Sequence, residues 1–283
     1  MFQNKKFPYL MIFPVVLLFL AFTLYPIIYS FILSFQSMVA GKYQFVGFNN
    51  YQKILGDKTF WLSLKNTLII LVVQVPIMLF LALILANALN SKLIKLKAIY
   101  RVGFYLPAVT SLVATSLLFS ILLQKNGLIN GLLAGINIEP IPWLSDAVWA
   151  KISIIITVTW RWTGYNMVIY LAALQNISEE LYEAASIDGA NKIRQFFSIT
   201  VPQLRPVILF TTIFSTIGTL QLFDEPFNLT QGGPANATKT LGLYIYETGF
   251  NFSRFGYASA LSYVVVMIVI VLSLIQSKLT KEK

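Results

Sequence analysis

The sequence predicts an all-α fold, a polytopic membrane protein with six transmembrane helices, on three observations. Of its 283 residues 57% are hydrophobic and only 11% charged, against about 25% charged in an ordinary soluble domain. Six apolar runs come near or exceed the roughly 20 residues that a helix needs to cross lipid: 8–35, 67–89, 106–123, 152–174, 206–223 and 258–277. Lys and Arg collect in alternate segments between those runs, as membrane orientation requires.

The first run follows Lys5 and Lys6. It is longer than the 7–15 apolar residues of a signal peptide and no small-residue cleavage site closes it, so it reads as a retained helix. The second connection carries Lys92, Lys95, Lys97 and Arg101, the fourth Lys192, Arg194 and Arg205, and the tail Lys278, Lys281 and Lys283. The third and fifth connections offset their few basic residues with Glu139, Asp146, Asp224, Glu225 and Glu247. Both termini are therefore expected in the cytoplasm. The first connection, with Lys42, Lys53 and Lys58, departs from this pattern. No linker, low-complexity tract or repeat divides the chain, and residues 1–283 read as one transmembrane domain. The outside connections, "GLINGLLAGINIEPIPWLSD" and "NLTQGGPANATKT", are rich in turn residues and read as ordered.

Composition also excludes chemistry. The chain has no Cys and no His, so thiolate nucleophiles, the commonest metal ligand and the usual general base are all missing. A net charge of +10 suggests nucleic acid only until its placement is read: the basic residues form no basic domain. No enzyme activity, nucleic acid or bound metal is expected of this chain.

Residues 178–202 stand apart, charged and alanine-rich between apolar runs. Ser178 is a plausible N-cap, and Glu179, Glu180 and Glu183 load acid where the helix dipole favours it. Asp188-Gly189 is a natural stop, since glycine takes the left-handed conformation that ends helices. A second short helix, 190–199, is expected to end where Val201-Pro202 and Arg205-Pro206 force the chain out. Ala184 and Ala185 let another surface approach the backbone, and Glu183 offers it one carboxylate. The competing reading is a solvated hairpin that only links two spans.

Arg161, in "TVTWRWTGYNM", is the one formally charged residue inside the six runs. Counting roughly 1.5 Å per residue from the outer end, it lies about 16 Å in, near the middle of a 30 Å core. Intramembrane charges usually face a cavity or the bundle interior, which makes Arg161 a site candidate. Trp160, Trp162 and Tyr165 offer flat apolar faces with polar edges, and Arg161, Thr163 and Asn166 offer hydrogen-bonding groups beside them. From the opposite direction, Ser215, Gly218, Thr219 and Leu222 share a helix face at a similar depth. Small polar residues there suit helix packing or a pocket.

"EAASIDGANKIRQFFSITVPQLRP" resembles the EAA motif of permease subunits in binding-protein-dependent ABC importers, with Glu183, Ala184, Ala185, Gly189, Ile199 and Pro202 matching it without gaps. "GFNNY", "YLAALQNISEELYEAA", "LTQGGPANATKTLGLYIY" and "FGYASALS" resemble the carbohydrate-uptake branch, close to the maltose-type and multiple-sugar permeases, over most of residues 48–276. The resemblance implies a type I importer permease fold, a bacterial or archaeal cytoplasmic membrane, and a sugar as cargo. It also implies a second homologous permease, an extracellular substrate-binding protein, and a cytoplasmic ATPase dimer into whose cleft the hairpin inserts. Glu183, Ala184, Ala185, Asp188 and Gly189 would couple to that ATPase. Tyr165 and Ser215, and the less similar Arg161, Trp162, Gly218, Thr219 and Leu222, fall on positions that contact sugar in the maltose-type permease. The chain has no G-x-x-x-x-G-K-[ST] loop, so ATP and Mg would be held by the partner ATPase. An ion-coupled secondary transporter is the rival, set back by the lack of any Asp or Glu inside the spans. A glycerol-phosphate-type permease of the same branch, with Arg161 on phosphate, is the alternative within the family. A membrane anchor with no pathway would leave Arg161 unexplained.

Overall fold

A computed structural model describes residues 7–91 and 94–281. Lys5, Lys6, Lys92 and Lys283, used above for orientation, lie outside the described residues. In chain order, helix α1 (Phe7–Phe19) passes through a π-helical turn (Leu20–Leu24) into α2 (Tyr25–Ser34), then come strands β1 (Gln36–Val39) and β2 (Lys42–Phe45). Helices α3 (Asn49–Leu55), α4 (Lys58–Asn90), α5 (Lys97–Val109), α6 (Leu112–Leu122) and α7 (Leu128–Ala134) follow. The long α8 (Ala147–Leu174) leads into α9 (Glu179–Ile187) and α10 (Lys192–Gln195), and a second π turn (Phe196–Thr200) leads into α11 (Val201–Gln203) and α12 (Arg205–Leu220). Helices α13 (Leu241–Tyr246) and α14 (Phe255–Lys281) close the chain.

Among the described residues three helices are long and apolar enough to cross a membrane, Tyr9–Ser34, Lys58–Asn90 and Phe255–Leu279. Two bent pairs raise the number to five if each is one span: α5 with α6, at 97°, and Lys192–Gln203 with α12, at 70°. The remaining expected run, 152–174, lies within α8, which at 28 residues is long enough but interrupts its apolar surface with Arg161, three Thr and Asn166. It begins five residues earlier than expected, because Asp146 caps it: its carboxylate accepts the amides of Val148 at 2.9 Å and Trp149 at 3.0 Å.

Three expectations need correction. Residues 106–123 are not one straight helix, since Thr110 is extended (φ −73°, ψ 152°) and the axis turns sharply there. The fifth run stops at Leu220, short of 223. The helix entering at 192 runs through Pro202 and breaks at Leu204, directly before Arg205-Pro206. Pro26 and Pro202 each lie two residues beyond a π turn, Leu20–Leu24 and Phe196–Thr200. A proline lacks the N–H of the helical ladder and its ring crowds the carbonyl four residues back; the wider π turn makes room for both. The chain bends only at Leu204.

Contacts divide the chain into two compact units, Met1–Lys58 with Tyr244–Met267, and Thr59–Leu243 with Ile268–Lys283. In the first, β1 and β2 pair antiparallel with Gln36 opposite Phe45, a hairpin that the sequence reading missed. Its turn is Ala40-Gly41, both at positive φ (49° and 78°). Asn50 donates to the carbonyls of Ser34 and Gln36, each at 2.9 Å. The hydroxyls of Tyr244 and Tyr257 both donate to Asp57 Oδ2, the second at 2.6 Å. In the second unit, α4 and α8 supply the core, with Ala82, Ala86, Met167 and Tyr170 fully buried. Its connections are ordered as expected. Asn130 alone donates to the carbonyls of Gln124, Lys125 and Ile141 and accepts from Ile141 N and Trp143 Nε1.

Candidate functional site

Within the second unit a cavity of about 390 Å³ lies between α4, α8 and α12. Its walls follow from helical periodicity. Val158, Trp162, Tyr165, Asn166 and Ile169 recur at three- and four-residue spacing on one face of α8, and Thr211, Ser215, Gly218 and Thr219 do so on α12, with Leu222 just beyond. Trp162 and Tyr165 are about two-fifths exposed (37% and 42%) and meet edge to face at 5.7 Å. Tyr105 stacks on Tyr165 at 6.4 Å, which limits how that ring can turn. A side-chain carbon built on Gly218 would meet nothing within 4 Å, so the glycine leaves open space on the α12 wall.

Six of the seven residues expected to bind substrate therefore line one cavity: Trp162, Tyr165, Ser215, Gly218, Thr219 and Leu222. Arg161 does not line it. Adjacent helical positions point about 100° apart, so a face that presents Trp162 turns Arg161 aside. It is 5% exposed, and its Nη2 donates to the Thr110 carbonyl at 2.9 Å and its Nη1 to Thr115 Oγ1 at 3.3 Å. Those partners flank the 97° bend between α5 and α6. Arg161 thus ties the bend to the middle of α8, satisfying a carbonyl that the broken helix leaves free. Arg161→Ala is expected to lower the amount of folded protein in the membrane several-fold, since each unpaired buried group costs about 1–3 kcal/mol. Quantified yield checks this; wild-type yield with altered substrate preference would return Arg161 to the site.

Gln74, Asp224 and Glu225 are among the lining residues that the sequence did not single out. Gln74, in the middle of α4, is 1% exposed and its Oε1 accepts from Thr219 Oγ1 at 3.2 Å. A glutamine inside so apolar a helix was the available signal. Asp224 and Glu225 enter from the segment after α12. Burial pushes the Glu225 carboxyl above its ordinary value, partly offset by a bond to its own backbone amide and by the Arg161 charge. Stacking faces, amide and hydroxyl groups and carboxylates together form a lining that can hold a polyhydroxylated ring. Among the described residues no three His, Cys, Asp or Glu side chains converge to hold a metal.

The hairpin at 178–202 is the second candidate surface. Helix α9 starts where expected, with Ser178 Oγ accepting the Glu180 amide at 3.3 Å, and ends at Ile187, two residues before Gly189, whose φ is +78°. Its inner side is pinned: Tyr182 hydroxyl meets Thr200 Oγ1 at 2.9 Å, and Gln195 Nε2 donates to Ser186 Oγ at 2.8 Å and to the carbonyls of Tyr182 and Ala190 at 3.3 Å. Glu183, Ala184, Asp188 and Gly189 are exposed and Ala185 is half-buried, with Ile187 beside them 87% exposed.

Residues 66–280 match the family described as binding-protein-dependent transport system inner membrane component. Over 280 residues the chain is 50% identical to the lactose transport system permease protein LacF of Rhizobium radiobacter, covering 97% of this chain and 94% of that one. It is 38% identical to the arabinooligosaccharides transport system permease protein AraP of Bacillus subtilis, covering 99% and 90%. The fold is shared, at a TM-score of 0.84 and 24% identity, with a chain from the crystal structure of a bacterial ABC transporter involved in the import of the acidic polysaccharide alginate, over 96% of this chain and 94% of that one. The chain belongs to the family of inner membrane components of binding-protein-dependent transport systems.

Proposed function

We propose that this chain is the membrane-spanning subunit of an ATP-driven ABC importer and forms half of the translocation pathway for an oligosaccharide or disaccharide. The observation that carries the reading is the cavity between α8 and α12, where stacking rings and small polar residues meet. The names of the relatives, which specify lactose and arabinooligosaccharides, support it. Residues 1–283 act as one permease domain, with both termini in the cytoplasm of a bacterial or archaeal cell and 178–202 as the coupling hairpin. Trp162, Tyr165, Ser215, Gly218, Thr219 and Leu222 contact the sugar. Glu183, Ala184, Ala185, Asp188 and Gly189 meet a cytoplasmic ATPase dimer, which holds the ATP and Mg. A second homologous permease completes the pathway, and an extracellular substrate-binding protein delivers the sugar. The chain itself catalyses no reaction.

Uptake by reconstituted vesicles tests this reading. Sugar should accumulate with ATP supplied and an uncoupler present, and Trp162→Ala, Tyr165→Ala or Ser215→Ala should each cut accumulation about tenfold or more while the complex is recovered in normal amount. A buried hydroxyl left without its partner costs about 1–3 kcal/mol, and an aromatic face contributes a comparable amount. Uptake abolished by the uncoupler despite ATP, or untouched by all three variants, would reject it.

A further inference from the structure

We infer that Asp224 and Glu225 make this half of the pathway selective for neutral saccharides and against anionic ones, an inference that rests on the sugar reading of the cavity. The lining contains two carboxylates and no Lys or Arg. Asp224 is half-buried and Glu225 is 3% exposed. The nearby cation, Arg161, is not among the lining residues: Nη1 and Nη2 donate to Thr115 and Thr110, and its guanidinium carbon lies 5.7 Å from the centre of the Trp162 ring. Much of the remaining wall is apolar, including Trp162, Phe210, Phe214 and Leu222.

An anionic substrate entering this space loses water and finds no opposite charge among the lining residues, and burying an unpaired charge is the most expensive kind of desolvation. A like charge at close range adds repulsion that the low local dielectric strengthens. A neutral sugar meets the opposite situation. Its hydroxyls donate to carboxylate oxygens, forming hydrogen bonds about twice as strong as those between neutral groups, and its ring packs on Trp162 and Tyr165. The same residues thus favour one class and exclude the other. A phosphate would meet no Lys or Arg among the lining residues.

Binding to the purified complex of permease pair and ATPase dimer, at neutral pH without the substrate-binding protein, isolates the cavity from upstream selection. The probes are lactose and lactobionate, which differ by oxidation of one end to a carboxylate. Lactose should bind the wild-type complex about tenfold or more tightly than lactobionate, the size of one close like-charge term. In Asp224→Asn/Glu225→Gln, recovered in comparable yield, the ratio should fall below about threefold, mainly because lactobionate improves. Equal binding by the wild type, or a ratio unchanged in the double variant, would overturn the inference and leave the sugar site standing. Failure of both saccharides to bind any form would remove the sugar site and the inference with it. Asp224→Asn alone separates the residues: a partial fall in the ratio supports a shared role, and no fall with a full effect in the double variant places the selectivity on Glu225.

Discussion

Gly164→Ala is expected to remove the folded protein from the membrane almost completely. A side-chain carbon at this position would lie 1.7 Å from the Phe104 carbonyl oxygen and 2.4 Å from its carbon, so α5 and α8 must move apart along their whole contact. Ordinary overpacking costs about 1–3 kcal/mol, and here the obstacle is backbone, which cannot swing aside as a side chain does. In a membrane helix such small-residue contacts are where backbones approach closest. Separation would also pull the Thr110 carbonyl away from Arg161 and open the α8 face that carries Trp162 and Tyr165. Gly103→Ala is the internal comparison, being one residue from Phe104 with nothing within 4 Å of the added carbon. Yields of the two variants, measured side by side, decide the matter: equal recovery would mean that the close crossing does not hold the fold.

Glu183→Lys and Gly189→Pro are expected to abolish uptake while leaving the permease in the membrane. Glu183 and Ala184 lie on the exposed side of α9 with Ile187 one turn on, and Gln195 and Tyr182 hold that helix from behind. In the coupling role proposed above, reversing the charge at Glu183 would turn an attraction for an ATPase arginine into a repulsion, and breaking an interfacial charge pair typically costs about 2–5 kcal/mol, enough to reduce uptake at least tenfold. Gly189 has φ +78° and its N–H donates to the Ser186 carbonyl at 3.1 Å. Proline has neither the N–H nor that dihedral, whereas Gly189→Asn tolerates the left-handed conformation and should retain most uptake. Co-purification of the ATPase reads the interface directly. Full retention and full uptake in both variants would make the hairpin only a connection between two spans.

Much of this was legible because it is local. The Ser178 cap, the glycine stop at Gly189 and the common face of Ser215, Gly218, Thr219 and Leu222 each depend on residues within a turn or two of one another, and helix geometry converts such spacing into position. The EAA resemblance is likewise a contiguous pattern. The errors lie where a local rule met a local exception. Pro202 was read as a terminator, but the π turn before it absorbed the missing donor. Residues 106–123 were read as one span because hydropathy carries no information about direction, and the chain turns 97° inside the run.

Arg161 shows the limit most clearly. Its depth and its charge could be read from the sequence, and they place it correctly inside the protein. Its partners, Thr110 and Thr115, are 51 and 46 positions away. Gln74 and Thr219 are separated by 145. No window of sequence contains both members of such a pair, and the same guanidinium would have satisfied a sugar hydroxyl or a free carbonyl equally well. The sequence by itself determined which segments are apolar enough to enter lipid, where the hairpin begins and where its glycine turns it, and which small and aromatic residues share a helix face. Only the tertiary structure decided that Arg161 ties the bend between α5 and α6, that Gln74, Asp224 and Glu225 join the cavity, and that Gln195 pins α9. Periodicity and backbone dihedrals are properties of neighbours along the chain, whereas the pairing of buried polar groups is settled by which helices pack together and how closely their backbones approach.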